Sequence, residues 1–102
     1  MEIRYYSKDI EKFIFSLDKR LSADIDRLIM LLYTYGSKVK MPYSKSLKGG
    51  LFELRKAGKK QIRVIYCFHK NEAVILHILE KKGNALPIKD LLLAKQRRNS
   101  LA

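Results

Sequence analysis

The chain is poor in cysteine, tryptophan, proline and acid. Among its 102 residues there is one cysteine, Cys67, no tryptophan and two prolines. A lone cysteine excludes an intrachain disulfide and supplies no thiolate set for a metal. It sits in the apolar run RVIYCF, where a small buried side chain is the expected role. No apolar run approaches the roughly 20 residues that a membrane-spanning helix needs. The opening MEIRYYSKDI is polar and lacks the apolar stretch of a secretory leader. Apolar residues make up 47% of the chain, which is ordinary for a folded domain of this size. These absences predict one cytoplasmic domain over residues 1–102, with no membrane contact and no cofactor.

Acid is scarce in one region only. Residues 1–36 hold six basic residues and six acidic ones. Residues 37–102 hold sixteen basic and four acidic residues, so the whole excess of +12 lies on that part. A field of one sign attracts polyanions and speeds their encounter. The expected partner is a nucleic acid or an acidic protein.

What is present fits an α+β fold. EIRYY at residues 2–6 alternates and reads as an edge strand. Ile10, Phe13, Ile14 and Leu17 form a helical stripe, with Ser7 as a candidate cap. A second stripe runs through Ile25, Leu28, Ile29, Leu32 and Tyr35. Ser22 is its candidate cap, Asp24 and Asp26 would lie in its first turn, and Gly36 would end it. Residues 7–36 therefore read as a helical hairpin with balanced charge, a scaffold. Residues 37–50, SKVKMPYSKSLKGG, lose periodicity and read as a loop. Tyr43 among Lys45, Lys48 and their neighbours suits a phosphate-and-base contact, although a solvated linker would look similar.

From Leu51 the period becomes two. Phe52 and Leu54 oppose Glu53 and Arg55; Ile62, Val64, Tyr66 and Phe68 oppose Gln61, Arg63, Ile65 and Cys67. Gly58 marks the hairpin between them. Matching apolar face to apolar face sets either Glu53 or Arg55 opposite Arg63, and groups all three on one face. AVILHILE at residues 73–80 reads as a third, largely buried strand, followed by Lys81 and Lys82. Pro87 suits the first turn of a last helix, PIKDLLLAKQRR, with Leu91, Leu92 and Ala94 apolar and Lys95, Arg97 and Arg98 at its basic end. NSLA reads as a frayed end.

A sheet face bearing arginines, lysines and a single carboxylate is what RNA cleavage without a metal requires. The reaction needs a base for the 2′-OH proton, cations for the phosphorane and an acid for the leaving oxygen. Arg63, Glu53, Arg55, Lys81 and Lys82 are the candidates, with Glu53 either a base or the partner that orients an arginine. Tyr66 falls by parity among core residues. His77, between Leu76 and Ile78, reads as a core histidine before a catalytic one. His69 lies in a turn.

The leucine of SLKGGLFELR, the arginine and tyrosine of IRVIY, and the run ILEKKGNALPIKDLLLAKQR carry a resemblance. In the last run the marks are Lys81-Lys82, Pro87, Asp90, and Ala94 with Arg97. With the order of elements, they resemble the RelE/ParE superfamily of bacterial toxins, in its phage-derived, HigB-type branch. The resemblance implies a small RelE-like fold: N-terminal strand, helical hairpin, three-stranded antiparallel meander joining one sheet, and C-terminal helix. It implies a metal-independent mRNA endonuclease that works in the ribosomal A site through attack by the ribose 2′-OH. Arg63 would be the arginine on the scissile phosphate. Lys45, Lys48, Tyr43, Arg97 and Arg98 would contact ribosomal RNA. The partners implied are the ribosome, mRNA and a helix-turn-helix (HigA-like) antitoxin covering the basic face of residues 51–98. Some relatives inhibit DNA gyrase instead, which is the alternative from another class.

Overall fold

The computed structural model describes residues 1–102. Its elements are β1 (Glu2–Tyr5), α1 (Lys8–Ser16), α2 (Lys19–Tyr35), β2 (Ser44–Lys48), β3 (Leu51–Lys56), β4 (Gln61–His69), β5 (Glu72–Lys81) and α3 (Ile88–Asn99), with a 3-10 turn at Gly36–Lys38. The strands form one mixed sheet in the order β1-β5-β4-β3-β2. Only the β1–β5 pair is parallel: the α1–α2 hairpin carries the chain from β1 to β2 at the opposite edge, and the antiparallel run β2-β3-β4-β5 then returns to β1. The result is a small α+β, RelE-like fold. No helix is long and apolar enough to cross a membrane.

Two apolar clusters lie on opposite faces of the sheet. On one, Leu54, Val64, Tyr66, Ile75 and Ile78 pack against Ile10 and Ile14 of α1 and Ile25, Leu28 and Leu32 of α2. The expected helical stripes bury wholly or in part, except Tyr35 at the end of α2, which faces solvent. On the other, Leu51, Ile65, Cys67, Val74, Leu76 and Leu79 pack against Ala94 of α3. A strand covered on both sides reads as a continuous apolar run, which accounts for AVILHILE in β5. The β4–β5 register shifts between Ile65 and Tyr66, so Leu76 has no direct partner. That bulge lets Leu76 and His77 share the α3 face.

Several local expectations are corrected. The start of α2 is capped by Asp18, whose carboxylate accepts from the Leu21 amide at 2.9 Å, and not by Ser22. An aspartate three residues before that amide is the stronger cap, and it draws the helix back over Lys19–Leu21. Ser7 makes no capping bond; its hydroxyl turns to Asp9. Residues 44–48 are not loop but an edge strand on β3. Lysine on a sheet edge discourages further pairing and hides the apolar alternation that would mark a strand. The turn after β2 holds Lys48, Gly49 and Gly50 at φ of 70°, 62° and 80°, which two glycines make feasible. In α3, Leu92 faces solvent, and the C-terminal residues are tied down. Ser100 Oγ meets Tyr6 Oη at 2.6 Å, and Leu101 packs on the Cys67 cluster.

The α3-side sheet face and its charge cluster

The β3–β4 pairing sets Arg55 opposite Arg63 and Glu53 opposite Ile65. Across β5, Arg63 faces Leu79, Ile65 faces His77 and Gln61 faces Lys81. Across β2, Glu53 faces Lys45. Directly paired residues share a face. One face therefore carries Lys45, Glu53, Arg55, Gln61, Arg63, His77 and Lys81. It is the face that α3 covers further along, over Leu51, Cys67 and Leu76. Lys82 lies exposed just past β5. The structure thus gathers Glu53, Arg55 and Arg63 and puts Lys81 on the same surface.

Glu53 and Arg63 are 5% and 2% exposed. The sequence marks this arginine as a surface side chain; the structure makes it the floor. Its Nη1 donates to the carbonyls of Ile62 at 3.1 Å and Lys56 at 3.3 Å, and Nη2 donates to Gln61 Oε1 at 2.9 Å. Its Nε stands 3.8 Å from Glu53 Oε2, an ion pair too long for a hydrogen bond, and neither atom has a hydrogen-bond partner. The other Glu53 oxygen lies 3.5 Å from Arg55 Nε. Burial pulls the Arg63 guanidinium below its usual range; Glu53 opposes that and Arg55 adds to it. A nearly closed carboxylate flanked by two guanidiniums is an arrangement that folding alone rarely favours.

Arg55 is the accessible cation of the trio, with its side chain 28% exposed. It stands where β2 begins, its amide bonded to the Tyr43 carbonyl at 2.8 Å, and its Nη1 reaches Met41 Sδ at 3.6 Å. Lys45, Lys48 and Tyr43 are exposed along the same edge of the sheet. Arg97 is not. It donates to the Leu76 carbonyl at 2.8 Å, sits 5.1 Å over the Tyr6 ring and faces Asp9 at 3.5 Å. That guanidinium bolts α3 to β5 and α1. Arg98 is spent on the Gly49 carbonyl and Asn99.

His77 is tied to the first turn of α3. Its Nε2 lies 2.7 Å from Asp90 Oδ1, while its buried Nδ1 has no partner. Ile65 stands between it and Glu53, a gap of two strand spacings or roughly 10 Å, so it belongs to the α3 joint and not to the charge cluster. The pair escaped the sequence reading because its halves lie thirteen residues apart in different elements. Tyr66 is buried as its parity predicts, with Oη on Ser44 Oγ at 2.5 Å and its ring stacked 5.5 Å from Phe52. Cys67 is buried too, and burial raises both its pKa and that of Tyr66. No cluster of three or more His, Cys, Asp and Glu side chains is placed to hold a metal ion.

A five-stranded mixed sheet with a helical hairpin on one face and a basic, helix-flanked opposite face defines a small RelE-like domain. Residues 12–99 match the phage-derived Gp49-like family (DUF891), and the chain belongs to that family, part of the RelE toxin-type superfamily. No curated protein matches it.

Proposed function

We propose that this protein is the toxin of a toxin–antitoxin pair, a HigB-type endoribonuclease that cuts mRNA in the ribosomal A site. The observation that carries the reading is the Glu53–Arg63 pair, buried with unpartnered polar atoms beside the accessible Arg55. Ionised groups held at that cost mark functional sites more often than scaffolds. The 2′-oxygen forms a bond to the adjacent phosphorus as the bond to the 5′-oxygen breaks, leaving a 2′,3′-cyclic phosphate. The 2′-OH proton goes to a base and the 5′-oxygen takes one from an acid. Arg55 at the rim, with Lys81 and Lys82, meets the phosphate charge. Glu53 holds Arg55 in place or takes the proton. Arg63, beneath the surface, acts through Glu53 as a positioning residue. Lys45, Lys48 and Tyr43 guide the RNA along the β2 edge.

The test is incubation of a defined mRNA with purified protein, with and without programmed ribosomes, read by primer extension. Cuts that need ribosomes and vanish in Arg55→Ala are expected. Absence of cuts with growth still arrested on expression refutes the nuclease. One observation favours the second reading, an inhibitor of gyrase: Arg55 is the one member of the trio open to solvent, a cation that can bind a target with no accessible base beside it. Under that reading Arg55→Ala leaves growth arrest largely intact.

A further inference from the structure

A groove of about 770 Å³ opens on the other side of the sheet edge, between α2 and the approach to β2. Leu28, Met30, Leu31 and Tyr35 of α2 form one wall, and Pro42 and Tyr43 the other. Met30, Tyr35 and Tyr43 are 59%, 57% and 50% exposed, a concentration of apolar surface outside both cores. The groove runs into a second one of about 550 Å³ walled by Arg20, Lys56, Lys59 and Lys60, and Asp24 and Lys56 line both. The two carboxylates there are engaged. Asp24 pairs with Arg27 and with Lys56 at 3.7 Å, and Asp18 caps α2. The channel is therefore apolar at one end and cationic at the other.

We propose that this channel docks a segment of a protein partner that presents apolar side chains followed by acidic ones. Apolar area drives its seating, and its carboxylates meet the uncompensated cations. An amphipathic helix bearing both fits such a groove. RNA matches the cationic end, but its sugar–phosphate backbone would leave the exposed Met30 and Pro42 without apolar partners.

Arg55 ties this channel to the charge cluster. It lines the groove while its Nε faces Glu53 Oε1 at 3.5 Å. A carboxylate seated in the groove competes with Glu53 for that guanidinium. Docking on the α2 side thereby turns the accessible cation away from the α3-side face, without covering it. This regulatory consequence rests on the proposed nuclease reading; the docking does not.

The experiment is nuclear magnetic resonance of the isotope-labelled full chain, titrated with a synthetic helical peptide carrying leucines on one face and glutamates at one end. Its lysine-for-glutamate counterpart and a single-stranded RNA oligonucleotide are titrated in parallel. The acidic peptide is expected to shift the amides of Met30, Leu31, Tyr43 and Ala57 and the Arg55 Nε–H. It should bind at least about tenfold more tightly than its basic counterpart. Met30→Glu, at an exposed position that folding does not depend on, should weaken it by a similar factor. Equal affinity of the two peptides, shifts confined to the α3-side face, or perturbation of Met30 and Leu31 by RNA and not by the acidic peptide would overturn the docking. A still Arg55 Nε–H overturns the coupling. Cleavage plays no part in this readout, so a seated peptide with no ribosomal cuts leaves the docking standing and removes the nuclease, and cuts without seating do the reverse.

Discussion

Replacing Arg63 with methionine tests the energetics of the buried pair. At an effective interior dielectric of about 20, unit charges at the 3.8 Å separation of Arg63 Nε and Glu53 Oε2 attract by roughly 4 kcal/mol. Desolvating the two ions costs a comparable amount, and the three hydrogen bonds of Arg63 offset part of it. The intact pair is thus near neutral for stability, but either half alone is not. Arg63→Met leaves a carboxylate that is 5% exposed with Arg55 as its remaining partner, and should cost about 3–5 kcal/mol. That is a large share of the roughly 5–15 kcal/mol expected for a domain of this size. Glu53→Gln should cost less, about 1–3 kcal/mol, because Arg63 keeps its three acceptors. The double change Glu53→Leu with Arg63→Met should return to within about 1 kcal/mol of the parent, since an apolar pair carries no desolvation cost. Urea unfolding followed by circular dichroism measures these proteins together with the single Glu53→Leu, which closes the cycle and isolates the coupling. A single Arg63→Met within about 0.5 kcal/mol of the parent, or strictly additive changes, would refute the reasoning. The double variant also separates folding from chemistry. It should be stable and, under the proposed function, silent on ribosomes.

Arg97→Ala should lower stability by about 1–3 kcal/mol, through its lost bond to the Leu76 carbonyl, and leave the salt dependence of RNA binding unchanged. Lys45→Ala and Lys48→Ala should do the opposite, each reducing the salt slope by about 1 with little effect on urea midpoints. Burial raises the Tyr66 and Tyr5 phenols, with Asp26 and Glu11 adding to Tyr5. A raised folded value stabilises the protein below the unfolded value, and that contribution fades as pH climbs through the folded one. Stability should therefore fall above about pH 10, with late phenolate absorbance, and a flat profile there would count against the burial. The Cys67 thiol, buried and raised, should resist alkylation until urea unfolds the chain, as a timed thiol-labelling assay would show.

The elements that were legible were those whose period and burial agree. Ile10, Ile14, Ile25, Leu28 and Leu32 carry a helical repeat and all bury, and alternation through β3 and β4 grouped Glu53, Arg55 and Arg63 on one face with either of the first two opposite Arg63, of which the structure takes Arg55. The β2 edge was hidden because one of its faces is solvent and its side chains are serine and lysine, with Leu47 its single apolar residue. The α2 cap was misplaced because Asp18 and Ser22 are both good caps, and only the bond to the Leu21 amide decides between them. At the basic end of α3 a sequence shows that Arg97 is charged and does not show that Leu76 offers it a carbonyl.

The burial of Arg63 follows from the same limitation. Alternation assigns a side chain to a face but says nothing of what covers that face. Here Glu53, Arg63, Ile65 and Cys67 all share one, and its apolar half is a second core under Ala94. The boundary between core and charge cluster is set by where α3 lies, and two of the polar contacts that hold α3 are Arg97 on Leu76 and Asp90 on His77. Neither contact touches Glu53, Arg55 or Arg63, yet both fix how far the helix reaches along the strands that carry them. The charge cluster is thus built by strand alternation and bounded by a helix joint. A change at His77 or Asp90 should alter the exposure of the cluster before it alters the cluster itself.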